Sequence, residues 1–157
     1  MQKLVISGVL ACASLASPGV AKAVPEAPTC SEIEETAYDL KSALRDFAFA
    51  VADVEYRSHV QWLAMSAGRS LNYILHEADR IHDIYPRDDD RCGYRIQRFR
   101  NYTERQFCPR LLALREAFQD DPELSQEEFV FDAWRDMVEN WETYRDTVGV
   151  VGCVDQP

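Results

Sequence analysis

Apolar residues recur every three or four positions along most of the sequence from residue 31 to residue 148. This spacing places them on one side of an α-helix and leaves charged residues on the other side. Four such stripes predict helices over about residues 31–52, 60–85, 93–118 and 126–147. Because the connections between them are short, we expect an all-α, antiparallel four-helix bundle.

The boundaries of these helices are predicted from capping residues and breakers. Ser31, Ser58 and Ser125 each match the first position of a helix capping box, and a turn is expected at about residues 53–58. No Gly or Pro interrupts residues 31–67, so the alternative is one long, kinked first helix over residues 31–85. Such a helix would be about 80 Å long and would need a homodimer to cover its apolar side. Pro109 is expected to kink or break the third helix.

The first 23 residues have the features of an export signal. Lys3 supplies positive charge, residues 4–16 are mostly apolar, and residues 21–23 read Ala-Lys-Ala, the small-x-small form of a cleavage site. This pattern predicts a periplasmic or secreted chain that begins at Val24. The alternative is lipid anchoring, because residues 9–12, Val-Leu-Ala-Cys, resemble the lipobox of bacterial lipoproteins. Cleavage there would leave a lipidated Cys12.

Without the signal, the chain has the size of one domain. It divides into a lead-in at 24–30, the helical bundle at 31–148 and a C-terminal tail at 149–157. The signal carries two of the 17 basic residues and no acid, so 15 basic residues face 27 acidic ones and the net charge is −12. This charge argues against nucleic acid as a partner. No apolar run after residue 23 approaches the roughly 20 residues that span a bilayer, so no transmembrane segment is expected.

Four cysteines remain after the signal, and an exported chain with four cysteines is expected to form two disulfides. They are Cys30, Cys92, Cys108 and Cys153. Pairing Cys30 with Cys153 would tie the ends of the bundle together and leave Cys92 with Cys108. A straight helix would separate Cys92 from Cys108 by about 24 Å, beyond disulfide reach. The third helix must therefore break before Pro109, or the pairing is crossed; free buried thiols are the remaining alternative.

The third predicted helix is rich in arginine. On a helical wheel, four arginines lie opposite its apolar stripe: Arg91, Arg95, Arg98 and Arg105. Such a face is suited to docking an acidic protein partner, a phosphate or an anionic lipid head group. The alternative is that these arginines offset the charge of acidic neighbouring helices. Arg100 and Arg110 point toward the apolar side, where they would need carbonyl or carboxylate partners or would extend to water.

The second predicted helix carries an aromatic face on the side away from its core stripe. Trp62, Arg69 and Tyr73 are expected to lie together there. Contact with a partner, such as a second copy of the chain, is one interpretation. Packing under the lead-in or the tail is the other.

The same helix carries a weak candidate for a metal or haem site. His76, Asp79 and Asp83 recur at spacings of three and four, which can place metal ligands on one helical face. His82 is expected near the apolar stripe, where it could serve as an axial haem ligand or bond to a backbone carbonyl. A ligand carried in the bundle core would be lined by aromatic residues, namely Phe47, Phe99, Trp134 and Trp141.

The sequence contains none of the short motifs that carry catalytic chemistry. It has no G-x-S-x-G, no phosphate-binding glycine loop and no C-x-x-C pair. We therefore predict a non-enzymatic protein without a cofactor that acts by protein binding, as an envelope adaptor, an inhibitor or an immunity-type factor. The alternative is a carrier of a small ligand, haem or a divalent metal in the bundle core.

Overall fold

The structure, a computed structural model, describes residues 26–56, 58–86, 91–151 and 153. The described residues form helices and turns, with no strand among them, which confirms the all-α prediction. The predicted signal at 1–23 and Cys12 lie outside the described residues. The helices are α1 (Cys30–Val54), α2 (His59–Ser70), α3 (Asn72–Ile84), α4 (Arg91–Tyr102), a π-helical turn (Thr103–Phe107), α5 (Cys108–Gln119), α6 (Pro122–Gln126) and α7 (Glu128–Val148).

The first helix begins earlier than its predicted cap. Thr29 is the N-cap of α1: its hydroxyl accepts from the Glu32 backbone N–H at 3.2 Å, and the Glu32 carboxylate accepts from the Thr29 N–H at 2.8 Å. This reciprocal pair is a capping box. The prediction that Ser31 caps the helix is wrong, because Thr29 and Glu32 form the same kind of box two residues earlier.

A turn separates α1 from α2, as predicted. α1 ends at Val54, and the Ser58 hydroxyl accepts from the Gln61 N–H at 3.1 Å to cap α2. The alternative of one long helix over 31–85 is therefore wrong. A homodimer is not needed to cover the apolar side of such a helix. The predicted second helix is itself divided at Leu71, whose N–H bonds to the Gly68 carbonyl three residues back, at 3.3 Å. α2 and α3 together occupy its place.

The third predicted helix contains a widened turn just before Pro109. The Cys108 N–H donates to the Thr103 carbonyl, five residues back. Proline lacks an N–H, and its ring crowds the carbonyl four residues earlier, so a regular α-turn is unfavourable at this point. The π-turn is the response to this crowding, and the helix then continues through α5 to Gln119.

The fourth predicted helix begins later than expected. Asp121, not Ser125, caps the short helix α6, and its carboxylate accepts from the Leu124 N–H at 3.1 Å. Ser125 lies inside α6, so its predicted capping role is wrong. α7 ends at Gly149, which has a left-handed φ of 71°. Glycine adopts this conformation without a Cβ penalty, which makes it a common helix terminator.

The core lies between α1, α7 and the α2–α3 pair, with α5 packed against α2. Two clusters of aromatic rings fill it. Phe47, Phe118 and Trp134 form one, with centroids 4.7–5.3 Å apart, and the other contains Phe107, Trp141 and Tyr144. Offset and edge-to-face ring pairs of this kind stabilise a core beyond the area they bury.

The two disulfides have the crossed pairing. Cys30 is bonded to Cys92 and Cys108 to Cys153, with Cα–Cα distances of 5.0 and 5.4 Å. The prediction that pairs Cys30 with Cys153 is wrong, because the π-turn does not fold the helix back far enough to bring Cys92 to Cys108. The Cys30–Cys92 bond ties α4 to the start of α1, and the Cys108–Cys153 bond ties the tail to α5. Among the helices described, none is both long enough and apolar enough to cross a bilayer.

Candidate functional site

The arginine face, defined as Arg91, Arg95, Arg98 and Arg105, lies on the surface as predicted from the helical wheel. Three of its members share α4, and Arg105 follows in the π-turn. The Arg91 guanidinium lies 4.4 Å above the centre of the Tyr85 ring, a cation–π contact with the end of α3. All four side chains are exposed, but they differ in the contacts that they make with the rest of the chain.

Arg98 is committed to contacts inside the fold. Its Nε donates to the Tyr73 hydroxyl at 2.9 Å, and its Nη1 lies 3.7 Å from the Glu77 carboxylate. The Tyr73 ring stacks on Tyr102 of α4 at 4.2 Å, and the Tyr102 hydroxyl donates to the Ser70 carbonyl at 2.9 Å. This set of contacts attaches α4 to α3 and to the end of α2.

Glu77 is the acidic member of this contact set, and sequence reasoning missed it. The hydrogen bond from Arg80, at 2.9 Å, and the charges of Arg80, Arg98 and His76 hold the pKa of the Glu77 carboxyl below its ordinary value, although burial alone would raise it. The Glu-x-x-Arg spacing of residues 77 and 80 was the available signal, because residues three apart on a helix are neighbours. Arg98 also lowers the pKa of Glu77, but it lies on another helix, so the spacing of residues 77 and 80 does not predict its effect.

Arg95 and Arg105 are different, because neither has an ion-pair partner among the described residues. Both are exposed. Two guanidinium groups without a carboxylate are conspicuous in a chain whose formal net charge is −10. They are the members of the arginine face that remain available to a partner.

Arg100 and Arg110 lie half-buried and bond to backbone carbonyls. The Arg100 Nε donates to the Val148 carbonyl at 2.6 Å, at the C-terminus of α7, and Arg110 donates to the Gln106 carbonyl in the π-turn. A cation at the end of a helix satisfies carbonyls that have no partner within the helix. Arg100 therefore holds the end of α7, whereas Arg110 bonds within the π-turn.

The residues of the predicted aromatic face, Trp62, Arg69 and Tyr73, lie on two helices. The interruption at Leu71 lies between Trp62 and Tyr73, and Tyr73 is packed against α4 as described above. Trp62 is 59% exposed, and its ring stacks at 6.1 Å on His59 of the same helix. Tyr73 therefore belongs with the arginine face, while Trp62 and Arg69 lie on α2.

The histidine and aspartate candidates do not converge on a site. His76, Asp79, His82 and Asp83 are all exposed on α3, whose buried residues are Ile74, Ala78 and Ile81. The expected position of His82 near the core stripe is therefore corrected. No group of three or more potential metal ligands comes together in the part of the chain that the structure describes.

The sequence patterns do not predict the groove that lies between α1 and α2. It has a volume of about 300 Å³, a floor of Ala64 and Gly68, and three cationic residues along its sides: Lys41, Arg45 and Arg69. A Cβ placed on Gly68 would lie 3.7 Å from the Leu44 Cβ, so the absence of a side chain deepens the groove. The sequence identifies Arg69 as a candidate but not its neighbours on α1, because the groove forms only where two helices pack together.

Comparison with protein-family models, with curated proteins and with solved structures finds no match for this chain. Any proposal for its function therefore rests on the contacts and charges described above.

Proposed function

We propose that this chain is an exported, non-enzymatic binding protein whose arginine face docks an acidic protein partner. The observation that carries the proposal is the state of Arg95 and Arg105, which are exposed and have no carboxylate partner among the described residues. Exposed cations of this kind speed encounters with acidic surfaces and bind carboxylates with bidentate geometry.

The surroundings of these two arginines support the same function. Arg98 lies between them in sequence and is fixed by Tyr73 and Glu77. The disulfide from Cys92 attaches the start of α4 to α1. A surface held in this way presents its charges in a fixed arrangement, which lowers the entropy lost on binding. Two disulfides also support an oxidising compartment, where such bonds persist.

The carrier hypothesis has less support in the bundle core. Trp134 contacts Phe47 and Phe118, Trp141 contacts Phe107, and Phe99 is 1% exposed. Side chains in these contacts fill the space that a core ligand would need.

The test is capture of a partner by the exported full chain from an envelope extract of the cells that export it. The variant carries Arg95→Glu and Arg105→Glu. Its matched control carries Arg135→Glu and Arg145→Glu, which change the net charge equally at arginines that already pair with Asp132 and Asp146. We expect the control to retain the wild-type partner and the variant to lose it, with capture by the wild type weakening as salt rises.

Circular dichroism of the variant checks that the bundle still folds. A folded variant that retains every protein captured by the wild type would refute the proposed role of the arginine face.

A further inference from the structure

The groove between α1 and α2 differs in charge from other concave regions of the molecule. A region between α1 and α7 is lined by Asp39, Asp46 and Asp136, and another by Glu26, Glu32, Glu35 and Asp146; no lysine or arginine of the described residues lines either region. Within the same described part of the chain, the charged residues that line the α1–α2 groove are all cations. In an acidic protein, this groove favours an anion.

The cations of the groove are not equally engaged. The Arg45 guanidinium donates to the Ser42 hydroxyl at 3.1 Å and lies 3.3 Å from the Asp46 carboxylate. Lys41 and Arg69 have no ion-pair partner among the described residues. Lys41 is also the only lysine after residue 23. The ammonium of Lys41 and the guanidinium of Arg69, on opposite helices, are therefore the groups available to an anionic head.

The rest of the groove is suited to an apolar chain. Ala64 and Gly68 leave the floor without polar side chains, and Met65 offers a flexible thioether that adapts to irregular apolar ligands. One turn beyond Arg45, Phe49 is 56% exposed; one turn before Met65, Trp62 is 59% exposed. The two helical faces that form the groove thus continue into exposed aromatic residues.

We propose that the α1–α2 groove binds a single-chain organic carboxylate of the fatty-acid class. Its carboxylate lies between Lys41 and Arg69, and its chain lies over Gly68 and Met65 toward Trp62. The volume of about 300 Å³ is at the lower end for ligand sites. A small volume suits a short-chain member of this class, such as an eight-carbon carboxylate. This site is separate from the arginine face.

The test uses octanoate, with acetate and 1-octanol as probes of the anion and the chain alone. Met1 lies in the predicted signal, so the exported chain carries two methionines, Met65 and Met137, and labelled methionine methyl groups give two NMR signals. Met65 lines the groove, whereas Met137 is fully buried in the core and serves as an internal control. We expect octanoate to shift the Met65 signal in a saturable way, acetate and 1-octanol to leave it in place, and Met137 to stay unchanged.

Removal of the cations then tests the head group. Lys41→Gln with Arg69→Gln is expected to weaken octanoate binding about tenfold. The charge-matched control, Arg135→Gln with Arg145→Gln, lies outside both the groove and the arginine face and is expected to bind octanoate as the wild type does. The proposal is overturned if octanoate leaves Met65 unmoved, if 1-octanol shifts it equally, or if the Lys41 and Arg69 variant keeps wild-type affinity. A Met65 shift caused by an acidic protein and not by octanoate would assign the groove to that protein instead.

Discussion

The α1–α2 hairpin and the arginine-rich segment of α4 and the π-turn are held in the fold by different means. α1 alone buries eight residues, whereas α4 buries Cys92 and Phe99. α4 is instead attached by specific bonds: the disulfide to Cys30, the Arg98–Tyr73 hydrogen bond and the bond from Arg100 to the end of α7. Four of the 12 residues of α4 are arginines and two are buried, so α4 has little apolar area to bury and individual bonds take the place of packing.

This difference has consequences for how the two regions respond to substitution. Apolar burial contributes in proportion to area and is spread over many residues, so the hairpin does not depend on any one bond. A disulfide or a buried hydrogen bond is present or absent. We therefore expect the loss of individual bonds to have its largest effects in and around α4.

Loss of the Cys30–Cys92 disulfide should have the largest effect. Cys30→Ser with Cys92→Ser opens a loop of 62 residues, which in the chain-entropy model costs about 4 kcal/mol. Chemical denaturation measures the loss, and native-state hydrogen exchange should show α4 amides opening well before those of α1. Equal acceleration of exchange in α1 and α4 would contradict the comparison, since it would mean that packing alone holds both helices.

A buried hydrogen bond next to the arginine face should have the second largest effect. The Thr103 and Tyr144 hydroxyls are 2.8 Å apart, and both residues are fully buried. Burial raises the pKa of Tyr144 far above its ordinary value, so its hydroxyl stays protonated. Tyr144→Phe leaves the Thr103 hydroxyl without this partner and should cost about 1–3 kcal/mol in urea denaturation.

The double variant, Thr103→Val with Tyr144→Phe, is the control for that prediction. It removes both polar groups, so it should recover part of the lost stability. If the double variant is less stable than Tyr144→Phe by the full cost of a second substitution, the two hydroxyls do not act as a pair.

Substitutions at two glycines, one in the hairpin and one packed against Arg100 of α4, should have smaller effects of opposite sign. Gly68→Ala in α2 should stabilise the hairpin by up to about 1 kcal/mol, because alanine is the better helix former and its Cβ meets Leu44 at an ordinary 3.7 Å. Gly149→Ala should destabilise by about 1–2 kcal/mol, because the position has φ of 71° and a Cβ would lie 2.6 Å from the Arg100 Nη2. Thermal unfolding measures both; a shift of the same sign in the two variants would contradict the comparison.

Much of this fold could be predicted because its determinants are local. The apolar stripes place the helices within a few residues, and the Ser58 cap is correctly located. The disulfide pairing could not be predicted in the same way, because it depends on the direction of the chain after the π-turn. That turn results from the crowding around Pro109, and sequence periodicity alone does not distinguish a widened turn from a break.

The same distinction applies to the candidate sites. The exposure of Arg95 and Arg105 follows from the position of each residue on one helix, so the helical wheel finds it. The partners of Arg98 come from α3, and the groove joins Lys41 of α1 to Arg69 of α2. Contacts between helices depend on packing and relative rotation, which a single-helix pattern does not contain.

The smallest expected effect is that of a substitution at Glu77, which contacts Arg80 of its own helix and Arg98 of α4. This effect depends on pH. The pKa of Glu77 is lower in the folded chain than its ordinary value of about 4.3, mainly because of the hydrogen bond from Arg80. A lowered folded-state pKa gives stability that is present above the ordinary value and is lost as pH falls through the folded value. The contact between Glu77 and Arg98 is one of the attachments of α4, so this pH-dependent stability is part of what holds α4 in the fold. Glu77→Gln should therefore be less stable than the wild type at neutral pH, by less than about 1 kcal/mol because solvent screens the pair. The difference should vanish in acid, below the pKa of Glu77 in the folded chain.

Urea midpoints measured across pH at low salt test this prediction. Glu123→Gln, a change at an exposed residue of α6, is the control that should show little difference. A Glu77→Gln deficit that stays constant down to the most acidic condition would mean that the side chain acts through its shape and not its charge.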